Sequence, residues 1–248
     1  KVSTYGPDFQ DNIIDRNELY KIRSPIWKKY LINSNINFNK KEKASNILIL
    51  GDSRAQDLYV SFLLNKKLFE DYDFRMSYLD DSCMQELEKT DGILSKECQN
   101  NIEIIRNNKL INDADLIFLT ATWLRYTYTN AASASDYFEK LNKKVIILST
   151  GNFYDMPSLS IESAKKKMNK EQRMSYFYDQ RRLDWKKISD DLRDLTSENT
   201  FVLFKDRFEI FCNLNKNQCN LFSNNMKPYI WDAGHLTVDG AYMQGQRI

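Results

Sequence analysis

Ile47-Leu48-Ile49-Leu50-Gly51-Asp52-Ser53 is the stretch on which the reading of this chain turns. Four consecutive branched apolar residues suit a short strand buried on both faces, as in a parallel sheet covered by helices. Gly51 permits a tight turn, and Ala55 to Leu64 continue with helical character, so the run reads as strand, turn, helix. Working outward, further apolar runs at Phe74 to Leu79, Asp115 to Thr120, Lys144 to Ser149 and Thr200 to Phe204 read as strands. Between them lie helical segments at Gln99 to Asn107, Ala134 to Leu141, Ile161 to Leu195 with a break near Asn169, and Val238 to Arg247. This alternation predicts an α/β domain, three-layer α/β/α, with a parallel sheet of about five strands. Lys1 to Ser45 are polar, with an amphipathic stretch from Leu19 to Ile32 that Pro25 bounds or kinks. They read as an N-terminal extension packing on a single domain formed by residues 46 to 248.

Composition narrows the function. Lys and Arg number 36 against 34 Asp and Glu, a formal charge of +2, and the signs are interspersed. No basic face for a nucleic acid is legible, so none is expected as a partner. No apolar stretch approaches the roughly 18 residues that span a bilayer, and no leader pattern opens the sequence. The four cysteines fall into two short-range groupings, Cys83 with Cys98 and Cys212 with Cys219, each closing a polar segment. They read as two disulfides in an oxidising compartment; four unpaired thiols are the alternative, and four cysteines allow three connectivities.

The chemistry is concentrated in two places. In a parallel sheet, ligands bind beyond the carboxyl ends of the strands, where Ser53, the Asp80 to Cys83 loop and the Thr122-Trp123 turn all fall. Ser53 begins a helix, whose free N–H groups favour developing negative charge. It is therefore placed as a nucleophile, although a serine there also serves as an N-cap. The only histidine, His235, follows Asp232 by three residues in Trp231-Asp232-Ala233-Gly234-His235-Leu236. One loop thus offers a general base together with a carboxylate to orient it, and Ser53, His235 and Asp232 are the candidate triad.

These residues resemble the SGNH (GDSL-like) hydrolases. Gly51-Asp52-Ser53 matches their first block and Asp232-Ala233-Gly234-His235 their last. More narrowly, Asp232 to Ala241, with Leu236 and Gly240, is similar to the ending of SGNH domains attached to acyltransferase-3 membrane proteins. The Cys83 region and the Cys212/Cys219 pair resemble that subgroup too. The resemblance implies a flavodoxin-like SGNH fold and an acyl-serine mechanism in which Ser53 attacks, His235 carries the proton and Asp232 orients it. It also implies a periplasmic or extracellular address, a glycan acceptor with an acyl donor, and an integral-membrane acyltransferase fused or associated. No cofactor or metal is called for.

The chain departs from that pattern. The family's oxyanion-binding glycine is replaced in Asp80-Asp81-Ser82-Cys83, where the Ser82 N–H is expected to stand in. The third-block asparagine gives way to Trp123, with Asn152 in Gly151-Asn152 a candidate substitute. Arg54 stands where the subgroup carries histidine, and Arg54 and Trp123 are expected to line the substrate pocket. The leading expectation is an O-acyltransferase or acetylesterase acting on polysaccharide. A GDSL-like esterase on small acyl esters and a non-catalytic glycan-binding domain are the alternatives. Asp80 and Asp81 read as loop residues, and Lys165-Lys166-Lys167 as a solvated helix face.

Overall fold

The computed structural model describes residues 15–39, 44–89, 94–225 and 227–248; residues 1–14 and 40–43 of the expected extension lie outside it. Chain order runs α1 (Arg16–Leu31), β1 (Ser45–Gly51), α2 (Ser53–Leu64), β2 (Tyr72–Tyr78), α3 (Lys96–Asn107), α4 (Leu110–Asp113), β3 (Leu116–Thr120), α5 (Thr129–Lys140), β4 (Lys144–Leu148). It continues with α6 (Met156–Lys165), α7 (Lys170–Asp179), α8 (Leu183–Thr196), β5 (Val202–Lys205), α9 (Phe208–Phe211), β6 (Cys212–Asn213), β7 (Gln218–Cys219) and α10 (Val238–Arg247).

Strands β1 to β5 form one parallel sheet in the order β2-β1-β3-β4-β5. The chain leaves β1 toward one edge and returns to β3 on its other side, so the crevice of this order opens beyond the carboxyl ends of β1 and β3. Side chains alternate across the sheet as the pleat requires. Ile47 and Ile49 join a core with Leu58 and Phe62 of α2, Met243 of α10 and Trp27 of α1. Leu48 and Leu50 join the opposite core with Ile102 of α3, Phe138 of α5 and Leu192 of α8. Both faces are covered, as the unbroken apolar strand of residues 47–50 predicts.

Two expectations need correction. Pro25 lies inside α1 and does not bound it. The carbonyl left without a donor is that of Lys21, and Lys21 and Pro25 are both solvent-exposed, so water can take the place of the missing N–H. The long polar stretch from Ile161 is also broken twice. Asn169 caps α7 through a capping box with Gln172. A second break falls at residues 180–182, where Phe153 bridges Arg181 and the Arg182 N–H donates to the Asn152 carbonyl at 3.0 Å. The cysteines pair as Cys83–Cys98 and Cys212–Cys219, the latter across the antiparallel β6–β7 hairpin.

Candidate active site

The site begins with a backbone constraint at the end of β1. Gly51 has φ +150°, and a Cβ there would collide with the Thr120 carbonyl of β3. Asp52 follows as the N-cap of α2: one carboxylate oxygen accepts from the Arg54 N–H at 2.8 Å, the other from the Thr122 N–H at 2.9 Å. A single side chain therefore ends β1, starts α2 and ties down the loop after β3. Because Asp52 caps the helix, Ser53 is its first helical residue and its hydroxyl is released from capping.

The Ser53 Oγ lies 2.8 Å from Nε2 of His235, and His235 Nδ1 lies 2.6 Å from Oδ2 of Asp232. With the Asp232 carboxylate holding the proton on Nδ1, Nε2 is left to accept from the serine hydroxyl. The other Asp232 oxygen accepts the backbone N–H groups of Gly234 and His235 at 2.8 and 2.7 Å. Burial works to raise the Asp232 carboxyl, but the imidazole bond and charge and these two N–H groups outweigh it and hold it well below the usual range. Asp232 is thus an anion whose lone pairs are committed to its own loop. The His235 and Asp232 side chains retain 27% and 21% of their exposure, so the hydrogen-bonded chain is open to solvent at one end.

The loop is fastened from several sides. The Phe153 and Met156 N–H groups donate to the carbonyls of Ala233 and Asp232 at 2.8 and 3.1 Å. The Leu236 N–H donates to Asp57 Oδ2 at 2.9 Å, and the Leu236 carbonyl accepts from Arg23 Nε at 2.9 Å. Asp57 lies one turn along α2 from Ser53, fully buried, and its other oxygen accepts from Arg23 Nη2 at 2.6 Å and Trp27 Nε1 at 3.0 Å. Sequence reasoning missed Asp52, Asp57 and Arg23. A legible hint existed for Asp57, a carboxylate one turn past Ser53 that immediately precedes the apolar Leu58-Tyr59-Val60.

The remaining expected site residues sit elsewhere or act differently. Trp123, expected to line the pocket, is fully buried in the core beneath α5, with Nε1 donating to the Leu148 carbonyl at 3.0 Å and its N–H to Thr150 Oγ1 at 2.9 Å. Its large apolar ring is more favourably sealed in that core than left at a polar crevice, and it offers no surface to a substrate. The Ser82 N–H, expected to receive an oxyanion, already donates to Asp80 Oδ1 at 3.1 Å in an Asx turn. Arg54 and Asn152 are both buried and meet each other, Arg54 Nη2 donating to Asn152 Oδ1 at 2.8 Å. Neither therefore forms an open wall of a pocket, and Arg54 Nε and Nη1 have no hydrogen-bond partner among the described residues.

Charge is dense around this crevice. Burial and the neighbouring Arg54 push the guanidinium of Arg207 down to about 9, against the pull of Asp57, Asp52 and Asp232. In the turn after β2, burial together with Asp80 raises Asp81 to about 6, although Thr127 donates to it. A cavity of about 590 Å³ opens away from the triad residues, lined by Met174, Phe211, Asn213, Gln218 and Arg247 among others. Among the described residues no helix is long and apolar enough to cross a membrane, and no cluster of three or more His, Cys, Asp and Glu is arranged to hold a metal ion.

The chain belongs to the family of SGNH domains fused to AT3 domains, whose family model matches residues 27–248. Its structure is similar to the periplasmic domain of a lipopolysaccharide acetyltransferase from Salmonella ser. Paratyphi A, at 16% identity over 97% of each chain with a TM-score of 0.63. It is also similar to a Streptococcus pneumonia protein provisionally named a platelet activating factor, at 15% identity over 93% of this chain and 92% of that one, TM-score 0.51. A GDSL-like lipase from Bacteroides thetaiotaomicron aligns at 12% identity over 89% and 94%, TM-score 0.48. At these identities the likeness to the first two is one of fold. No curated protein sequence is significantly similar to the chain.

Proposed function

We propose that this domain is an extracytoplasmic O-acyltransferase or acetylesterase that works through an acyl-serine on cell-envelope or surface polysaccharide. The observation that carries the reading is the continuous chain Ser53 Oγ, His235 Nε2, His235 Nδ1, Asp232 Oδ2, with links of 2.8 and 2.6 Å, built around the only imidazole in the sequence. As Ser53 attacks the acyl carbonyl, its proton passes to His235 Nε2, and the imidazolium is stabilised by Asp232. The tetrahedral oxyanion collapses, the donor's oxygen leaves with the proton from His235, and the acyl group remains on Ser53. His235 then takes the proton of an incoming hydroxyl, which attacks the acyl-serine; the second tetrahedral oxyanion collapses with cleavage of the acyl–Oγ bond, and His235 returns the proton to Ser53. A sugar hydroxyl gives transfer and water gives hydrolysis.

The oxyanion is held by the Ser53 N–H, which as a first-turn donor has no intrahelical acceptor, and by the positive end of α2. Buried Arg54 adds fixed positive charge nearby. Fusion to acyltransferase-3 membrane domains within the family supports a membrane partner that supplies the acyl group. The two disulfides and the periplasmic relative support the address.

The test is turnover of a chromogenic acetyl ester, with and without a sugar acceptor, by wild type, Ser53→Ala and His235→Ala. Both variants should be folded and inactive, and an acetylated wild-type intermediate should be trapped by rapid acid quench. Wild-type turnover in His235→Ala would overturn the mechanism, because no second imidazole exists to replace it.

A further inference from the structure

We infer that Arg23 of α1 is a positioning residue for the Ser53–His235 pair, an inference that rests on the acyl-serine reading above. Two links of nearly equal length join α2 to the loop of residues 232–236. The first is Ser53 Oγ to His235 Nε2 at 2.8 Å; the second, one helical turn further on, is Asp57 Oδ2 to the Leu236 N–H at 2.9 Å. The second link fixes the distance across which the first must form. It depends on a carboxylate that is completely buried, whose oxygens must be satisfied by donors from the protein itself.

Arg23 is one such donor. Its Nη2 donates to Asp57 Oδ1 at 2.6 Å while its Nε donates to the Leu236 carbonyl at 2.9 Å. Arg23, Asp57 and Leu236 therefore close a ring in which both peptide groups flanking the Leu236 side chain are held, immediately after His235. The planar fork of arginine makes the two bonds at once, which a lysine ammonium on its flexible stem does not reproduce. The guanidinium lies 4.1 Å over the Trp27 ring, and Trp27 Nε1 donates to the same Asp57 oxygen at 3.0 Å. Among the described residues, Arg207 Nη2 is the other cation facing Asp57, at 4.0 Å and outside hydrogen-bond range. Arg23 lies in the part of α1 that precedes the segment matching the family, residues 27–248.

The alternative is that the Arg23–Asp57 pair only braces α1 on the domain. Arg23→Met keeps an apolar stem against Trp27 and deletes both donors; Arg23→Lys keeps the charge; Arg16→Ala removes only an exposed α1 pair with Asp155 and serves as the control. Each is assayed for ester turnover and thermal unfolding, and by NMR for the Nδ1 proton of the single histidine, which bonding to Asp232 shifts downfield. Arg23→Met should lose about 10- to 100-fold in kcat with little change in KM, the scale of a sub-ångström misplacement of reacting groups. The histidine signal should move or broaden, Arg23→Lys should recover part of both, and Arg16→Ala should match wild type. Wild-type kcat and an unmoved signal in folded Arg23→Met, with only the melting temperature lowered, would leave Arg23 a brace and overturn the inference. Should Arg23→Met fail to fold, Arg23→Lys decides on the same two readouts. A wild type inactive on every ester would count against the enzymatic reading, while the histidine signal would still report whether Arg23 sets the loop.

Discussion

Gly234 lies flush against the guanidinium of Arg54: a Cβ added there would stand 2.5 Å from Nη2 and 2.6 Å from Nη1, and would strike Asn152 Oδ1 as well. Arg54 is the long side chain that would have to yield, yet it is buried and bonded to Asn152. Gly234→Ala should therefore displace the loop between Asp232 and His235, with a loss of about 100-fold or more in ester turnover and a lower melting temperature. Wild-type kinetics in this variant would mean that the Arg54 pocket is looser than its contacts indicate.

Asn152 should matter through Arg54. Asn152→Ala leaves the buried guanidinium with one more unpartnered donor, a cost of about 1 to 3 kcal/mol, to be read from urea unfolding. Turnover should fall less than the roughly 100-fold typical of deleting an oxyanion donor. A loss of that size with unchanged stability would instead place Asn152 at the oxyanion.

Trp123→Ala should behave as a core truncation. The ring is fully enclosed and its Nε1 is bonded to the Leu148 carbonyl, so the variant should lose about 3 to 5 kcal/mol of stability. The KM of the folded fraction should be unchanged. A raised KM with intact stability would return Trp123 to the substrate's surroundings.

Asp81 gives the fold a pH dependence of definite sign. Its carboxyl is raised to about 6 in the folded chain, by burial and by Asp80, against roughly 3.9 when unfolded. Between those values the folded state binds the additional proton, so this stabilising contribution is present at acid pH and is lost as pH rises through about 6. Asp81→Asn should accordingly gain stability over wild type at pH 8 and little at pH 4, compared by denaturant midpoint. An equal shift at both pH values would assign the effect to packing against Thr127.

The two disulfides should differ in weight. Cys83–Cys98 closes a separation of 15 residues and Cys212–Cys219 one of 7. The loop-entropy relation gives about 3 kcal/mol for the first and about 2 kcal/mol for the second. Paired Cys→Ser variants compared by urea unfolding should follow that order, and a reversed order would show that native contacts around the β6–β7 hairpin dominate.

Strands β1, β3 and β4 were legible because each carries a short run rich in branched apolar residues. The first turns of α5 and α6 escaped detection: Thr129 to Ser133 are small or polar, and Pro157 sits in the first turn of its helix, where a missing N–H costs nothing. The break at residues 180–182 carries no glycine or proline and is made by contacts to Phe153 and Asn152. For the site, Ser53, Asp232 and His235 could be read because their spacing is local to two motifs. Arg23 could not, and Asp57 showed only its place one turn past Ser53, since the partners of both lie far along the chain and only the fold brings them together. Trp123 was misjudged because position after a strand says nothing of which way a side chain turns.

Trp231 stands beside the imidazole, its ring centroid 6.0 Å from that of His235. A charged imidazole quenches the emission of a neighbouring indole far more strongly than a neutral one. Trp27 and Trp123 are sealed in the two cores, Trp185 packs partly buried against the second, and these three contribute a steady background. The protein thus carries its own optical gauge: any change in the charge or placement of the imidazole beside Trp231 should register in its intrinsic emission, without any added label.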